Sequence, residues 1–155
     1  MADMRKAFEE VRNMLSGEQS GHGFDHVERV YRLALELAEK EGADKEIVGL
    51  AALLHDCDDY KLAGEEAAEK LPNARRILTM AGADDDMREK VLNIVARMGY
   101  SKSLKGIRPS SLEGKVVSDA DMLDAIGVGG IIRCLQYAVV RCNAFGTPLF
   151  GRNRV

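Results

Sequence analysis

The chain has 155 residues, 46% of them hydrophobic and 30% charged, which excludes disorder and collagen-like repeats and points to one compact domain over residues 1–155. Lys+Arg 22 against Asp+Glu 25 gives a net charge of -3, which argues against duplex nucleic acid as a partner. No apolar run approaches the ~18 residues of a bilayer span, and Met1 to Lys6 opens no signal-peptide core, so a cytoplasmic protein without membrane contact is expected.

The first helix is predicted over residues 4–15, where Met4, Ala7, Phe8, Val11, Met14 and Leu15 recur at spacings of three and four before Ser16-Gly17. Ser16 to Gly23 holds three glycines and reads as a loop that carries His22. A second helix runs from Asp25 to Lys40, with an apolar stripe of Val27, Val30, Tyr31, Ala34, Leu37 and Ala38, and Gly42 follows as its stop. Asp44 is the N-cap expected for a third helix, in which Ile47, Leu50, Ala51 and Leu54 repeat at helical spacing, and His55-Asp56 follows directly. Two short helices, Glu65 to Leu71 and Asn73 to Met80, are separated by Pro72, which disfavours a helical Leu71. Asp84 caps a longer helix bearing Met87, Val91, Ile94, Val95 and Met98, closed by Gly99. Tyr100 to Ser111 reads as a loop with Lys102, Lys105 and Arg108, and helical patterns resume from Leu112 to Ala125 and from Val128 to Asn143. The expected fold class is all-α. With no Trp and only Phe 4 and Tyr 4, its core is aliphatic and rich in alanine, as close helix packing allows.

The chemistry-bearing residues are few. All three histidines fall in two places, His22 and His26 around the start of the second helix and His55 beside Asp56. The cysteines Cys57, Cys134 and Cys142 are odd in number, with no CxxC spacing, which suits free thiols in a reducing compartment and excludes a cysteine zinc site. A His-Asp dipeptide alone is weak evidence, since an imidazole at a helix C-terminus beside a carboxylate is often no more than a dipole-stabilised pair.

The combination is more specific. Asp25-His26-x-x-Arg29-Val30, then His55-Asp56 behind an apolar helix, then Asp119-Ala120-Asp121-x-Leu123-Asp124-Ala125 resembles the HD-domain superfamily of metal-dependent phosphohydrolases, most closely its small bacterial predicted-hydrolase branch, over roughly residues 20–150. The resemblance implies an HD-type helical bundle and four ligands to one divalent metal: His26, His55, Asp56 and Asp121, with Asp119 as the alternative to Asp121. Two imidazoles and two carboxylates suit Mn²⁺ best, with Fe²⁺, Ni²⁺ or Zn²⁺ also compatible and Mg²⁺ less so. Such a site catalyses hydrolysis if positions remain for water and a phosphoryl oxygen, and is structural if closed and tetrahedral.

Around the metal, the resemblance and the residue spacing suggest four catalytic candidates. Asp59, three residues after Asp56, matches the acidic catalytic residue of alarmone hydrolases in the superfamily and could manage a proton. Lys61 corresponds to a lysine that several branches place shortly after the pair, and His22 to a histidine four residues before the ligand. Arg29, three residues after His26, could hold a phosphate oxygen bidentately or form a surface salt bridge. Asp124 could support a ligand or pair with a cation. Arg97 stands where many relatives have a histidine, so one metal rather than two is expected. Relatives in the branch continue for several more helices, so the C-terminal helices that form a lid there are expected to be missing, and apolar helix faces left exposed would favour a homodimer.

The expected function is therefore hydrolysis of a phosphoester or phosphoanhydride bond, with hydroxide supplied by a metal-bound water. The partner is a small phosphorylated molecule, with a nucleotide favoured and a pyrophosphatase or nucleotidase ranked first. The alternatives are an alarmone hydrolase, a cyclic-nucleotide phosphodiesterase, a non-catalytic metal and nucleotide sensor, or a helical scaffold in which the His-Asp pair is structural.

Overall fold

Local capping signals set several helix ends. In α1 (Met4–Leu15) the Asp3 side chain accepts from the Lys6 N–H, and Ala7, Val11 and Leu15 are buried. α2 (Phe24–Glu41) stops at Gly42, whose φ of 72° is the left-handed geometry of a helix C-terminus, with its N–H donating to the Ala38 carbonyl. α3 (Lys45–Leu54) begins at Asp44, whose Oδ1 accepts from the Glu46 and Ile47 N–H groups. Then follow α4 (Glu65–Lys70), α5 (Pro72–Met80), α6 (Asp85–Arg97), α7 (Tyr100–Leu104), α8 (Leu112–Asp124) and α9 (Gly127–Cys142). The computed structural model describes residues 1–18, 23–59 and 64–142, and among these there are nine helices and no strand, the all-α class expected from the periodicities.

The short central α3 organises the rest. Every residue from Ile47 to Leu54 is buried, and the helix packs against α1, α2, α6 and α8, so it is apolar on all sides as a core helix must be. Leu50, Leu53 and Leu54 are fully enclosed, each burial contributing about 1.5–3 kcal/mol, and this anchors the turn that follows. At Gly49 an added Cβ would stand 3.1 Å from Met4 Cε and 3.2 Å from Tyr31 Cε2, so the absence of a side chain lets α1 and α2 close onto α3.

Two junctions differ in detail from the sequence expectation. The helix before Pro72 ends at Lys70, one residue early, and buried Leu71 adopts φ 51°. No side chain of that helix's own caps α5. Instead Asp58, fifteen or more residues back and buried, accepts from Asn73 N (3.1 Å), Asn73 Nδ2 (2.9 Å) and Ala74 N (2.8 Å). The second difference lies in Tyr100 to Ser111, read as a loop. Its first five residues form α7, entered through Gly99 at φ 111° and closed by Ser103 N–H to Gly99 O.

α8 carries the late aspartates. It starts at Ser111, whose Oγ accepts from Gly114 N, and Gly114 leaves room for Pro109, whose Cβ would otherwise stand 2.4 Å from a side chain there. α8 lies along α2 and α3. The chain then bends by 78° into α9, where Val128, Ile131, Ile132, Leu135 and Val139 are exposed. Among the described residues no single helix is long and apolar enough to cross a membrane.

Candidate metal centre

Three segments far apart in sequence meet at one end of α3. His26 sits in the first turn of α2, on the face that carries Val27 and Val30 into the core, and is 1% exposed. His55 is the C-cap of α3, and Asp56 begins the turn after it; both are buried. α8 supplies Asp121 and Asp124, which are three residues apart and therefore share a helix face.

His26 Nε2 lies 3.2 Å from His55 Nε2, 3.5 Å from Asp56 Oδ2 and 3.4 Å from Asp121 Oδ1. His55 Nε2 lies 3.5 Å from Asp56 Oδ1 and 3.7 Å from Asp121 Oδ1. Asp119, only two residues from Asp121 but on the other side of α8, is exposed. The structure thus brings His26, His55, Asp56 and Asp121 together and leaves Asp119 in solvent.

The opposite ring nitrogens decide what this cluster can bind. His26 Nδ1 is 2.7 Å from Asp124 Oδ2, and His55 Nδ1 is 2.7 Å from the Ala52 carbonyl. Both partners are acceptors, so both Nδ1 atoms donate and each neutral ring turns its Nε2 lone pair inward. Two lone pairs 3.2 Å apart, flanked by two carboxylates, form a pocket of donors that calls for a positive charge. Donors bonded to one cation at ~2.0–2.2 Å stand about 3.0–3.6 Å apart, close to the spacings found. His26, His55 and Asp56 alone place one ligand atom each within 4.8 Å of the others. The residues present fit a divalent ion.

The electrostatics point the same way. Burial of the His55 ring opposes its charging, but Asp56 and Asp121 more than reverse this and raise its pKa above the ordinary 6.5. Burial likewise works against the charged form of Asp121, yet His26 and His55 hold its pKa below the usual carboxylate value. For Asp124 the same opposition by burial is overcome by hydrogen bonds from Arg29 and His26.

Of the two readings open for Arg29, the structure shows the salt bridge. Its Nε donates to Asp124 Oδ1 at 2.8 Å, its Nη2 to Asp124 Oδ2 at 3.1 Å and its Nη1 to Asp25 Oδ2 at 3.1 Å. The guanidinium fork grips Asp124, and that hydrogen bond raises the guanidinium pKa. Asp59 is half-buried in the turn after Asp56, with its N–H on the Asp56 carbonyl at 3.3 Å. It is near enough to Lys102 to offset part of the lowering that burial imposes on that lysine. Lys102 itself donates to the Ala96 carbonyl at the end of α6 at 2.7 Å, while Lys105 and Arg108 are exposed. His22 and Lys61 lie outside the described residues.

Two residues escaped the sequence reading. Arg133 reaches from α9 to Asp124 Oδ2 at 3.3 Å and is 16% exposed; the signal was that it is the only charged residue between Gly127 and Val140. Asp58, the remote cap of α5, carried no signal distinct from its acidic neighbours.

A helical bundle with two histidines and two aspartates converging from α2, α3 and α8 is the arrangement of a metal-dependent phosphohydrolase. The family model for the HD domain matches residues 23–126, and the chain belongs to that family. It is similar to YpgQ of Bacillus subtilis, with 39% identity over 142 residues covering 91% of this chain and 67% of that protein. Among solved structures, a Lactobacillus plantarum protein superimposes with TM-score 0.81 at 34% identity, over 98% of this chain and 70% of that one. A predicted HD-superfamily hydrolase from an uncultured Thermotogales bacterium gives TM-score 0.68 at 31% identity, over 86% and 74%. The crystal structure of YpgQ in complex with ADP gives 0.66 at 33%, over 95% and 73%.

Proposed function

We propose that this chain hydrolyses a phosphoester or phosphoanhydride bond of a nucleotide, with His26, His55, Asp56 and Asp121 holding one divalent cation. The observation that carries the reading is the inward aim of both Nε2 atoms toward two carboxylates, with both Nδ1 atoms tied back. The mixed nitrogen and oxygen donors favour Mn²⁺ over Mg²⁺. A cation held there would supply Lewis-acid polarisation of a phosphoryl oxygen and would lower the pKa of a nearby water.

The chain's own residues do the rest. Asp56 and Asp121 balance the ion's charge and leave the site close to neutral, so an anionic substrate is not repelled. We assign to Asp59, in the turn directly after Asp56, the proton of the attacking water or leaving oxygen. Lys61 and His22 remain candidates for substrate contact. Arg29, committed to Asp124 and Asp25, holds the ligand scaffold rather than the phosphate. Support for a nucleotide comes from the ADP complex of YpgQ, and among nucleotide reactions a pyrophosphatase or nucleotidase is preferred.

The test is metal analysis of the purified chain, followed by a nucleotide screen with Mn²⁺, Mg²⁺, Ni²⁺ and Zn²⁺ that measures pyrophosphate and orthophosphate separately. The expected result is one metal per chain, turnover of a nucleotide, and loss of both in His55→Ala. Stoichiometric metal with a stable nucleotide complex and no turnover would replace the enzyme with a sensor; absence of stoichiometric metal would refute the reading.

A further inference from the structure

Asp124 meets His26 at the ring nitrogen that faces away from the centre, and it accepts four hydrogen bonds. Its Oδ2 accepts from His26 Nδ1 at 2.7 Å, Arg29 Nη2 at 3.1 Å and Arg133 Nη1 at 3.3 Å, and its Oδ1 accepts from Arg29 Nε at 2.8 Å. These donors come from α2 and α9, while Asp124 ends α8. The side chain is 10% exposed, and Arg29 is itself braced by Asp25 at 3.1 Å.

An ionised carboxylate only accepts, so the proton of a neutral His26 must reside on Nδ1. Were it on Nε2, an N–H would point at His55 Nε2 and the two carboxylates, in the space a cation would take. The competing tautomer is therefore not a neutral alternative; it blocks the site. His55 faces the same choice and has it settled by the Ala52 carbonyl, a backbone group that belongs to α3. At His26 that role falls to a side chain 98 positions away.

We infer that Asp124, pinned by Arg29 and Arg133, is the positioning residue that selects the metal-binding tautomer of His26. This rests on the metal reading given above, and extends it by assigning the state of the site before any ion arrives. Arg133 gives α9 a part in the centre through the same carboxylate.

Asp124→Asn tests it, because the amide keeps the volume but can donate to Nδ1 and release the proton to Nε2; the equivalent change in a catalytic Asp-His pair acts through the wrong tautomer. Nitrogen NMR of the metal-free full chain, at a pH where the imidazoles are neutral, should place the His26 proton on Nδ1 in the wild type and shift it to Nε2 in the variant. Calorimetric titration with Mn²⁺ should show affinity lower by about 10–100-fold in the variant. An Nε2–H tautomer in the wild-type protein overturns the inference and needs no variant to fold. So does an Asn variant that binds Mn²⁺ as tightly as wild type. If the wild type binds no divalent ion while His26 carries its proton on Nδ1, the metal reading fails and the tautomer assignment survives, so the two failures are told apart.

Discussion

Two adjacent glycines in the first turn of α9 should respond to the same substitution with opposite signs. In an ordinary helical position, Gly→Ala stabilises by about 0.5–1 kcal/mol because alanine has less backbone freedom to lose. Gly129 is such a position, with nothing within 4 Å of an added Cβ. At Gly130 the added Cβ would stand 2.0 Å from the Ala125 carbonyl oxygen, 2.4 Å from its carbon and 3.1 Å from its Cα. All three atoms are backbone at the end of α8 and cannot swing aside. Relieving the contact requires α9 to move by about 1 Å, and overpacking of this kind costs roughly 1–3 kcal/mol, here toward the upper end. After the helix-propensity gain is subtracted, Gly130→Ala should destabilise by about 1–2 kcal/mol, or ~2–8 °C in Tm for a chain of this size. Gly129→Ala should raise Tm by up to ~4 °C. The same displacement would carry Arg133 away from Asp124, where the contact is already 3.3 Å, so Gly130→Ala should also weaken metal binding while Gly129→Ala leaves it intact. Circular dichroism melts of the three proteins decide the matter. Equal or higher stability of Gly130→Ala relative to Gly129→Ala would refute the account of the α8–α9 bend.

Other outcomes follow from the buried polar groups. Asp58→Ala removes the acceptor for three donors at the start of α5 and should cost about 1–3 kcal/mol in urea unfolding; a change under ~0.5 kcal/mol would mean that water replaces the cap. The Cys57 thiol is buried, and burial followed by the charges of Asp58 and Asp56 pushes its pKa up. Alkylation followed by peptide mass analysis should therefore modify exposed Cys134 readily and Cys57 only after denaturation. Because Asp56 and Asp121 outweigh burial and raise the His55 pKa above 6.5, protons compete with the ion at higher pH than at an ordinary imidazole. Metal affinity should fall as pH drops through that raised value, with proton release on binding detected by calorimetry in buffers of different ionisation enthalpy. An affinity that stays constant as pH falls from above that raised value to well below it would contradict the assignment of His55 as a ligand. In the metal-free chain the sign is the reverse: the raised pKa contributes stability that is fully present below 6.5 and is lost as pH rises through the folded value.

Helix positions were legible along the chain because caps and apolar spacing act between neighbours: Asp44, Asp84 and Gly42 sit where their local chemistry requires. The motif residues were legible too, since His26 and the His55-Asp56 pair lie at the ends of helices whose buried faces are written in the sequence. Where local signals ran out, the expectation erred modestly, as at α7, whose single turn depends on Gly99 and on Lys102 reaching back to α6. Partnership was another matter. Spacing could not choose between Asp119 and Asp121, because that choice depends on which side of α8 lies against α2 and α3. Nor could it assign Arg29 to a carboxylate 95 residues away, Asp58 to the start of α5, or Arg133 to the centre across a 78° bend. The sequence by itself determined the helices, the apolar faces and the set of residue types able to hold a cation, because these follow from interactions a few residues apart. Only the tertiary structure decided which carboxylate faces the histidines and which way each imidazole carries its proton, because those outcomes depend on the packing register of helices from distant parts of the chain.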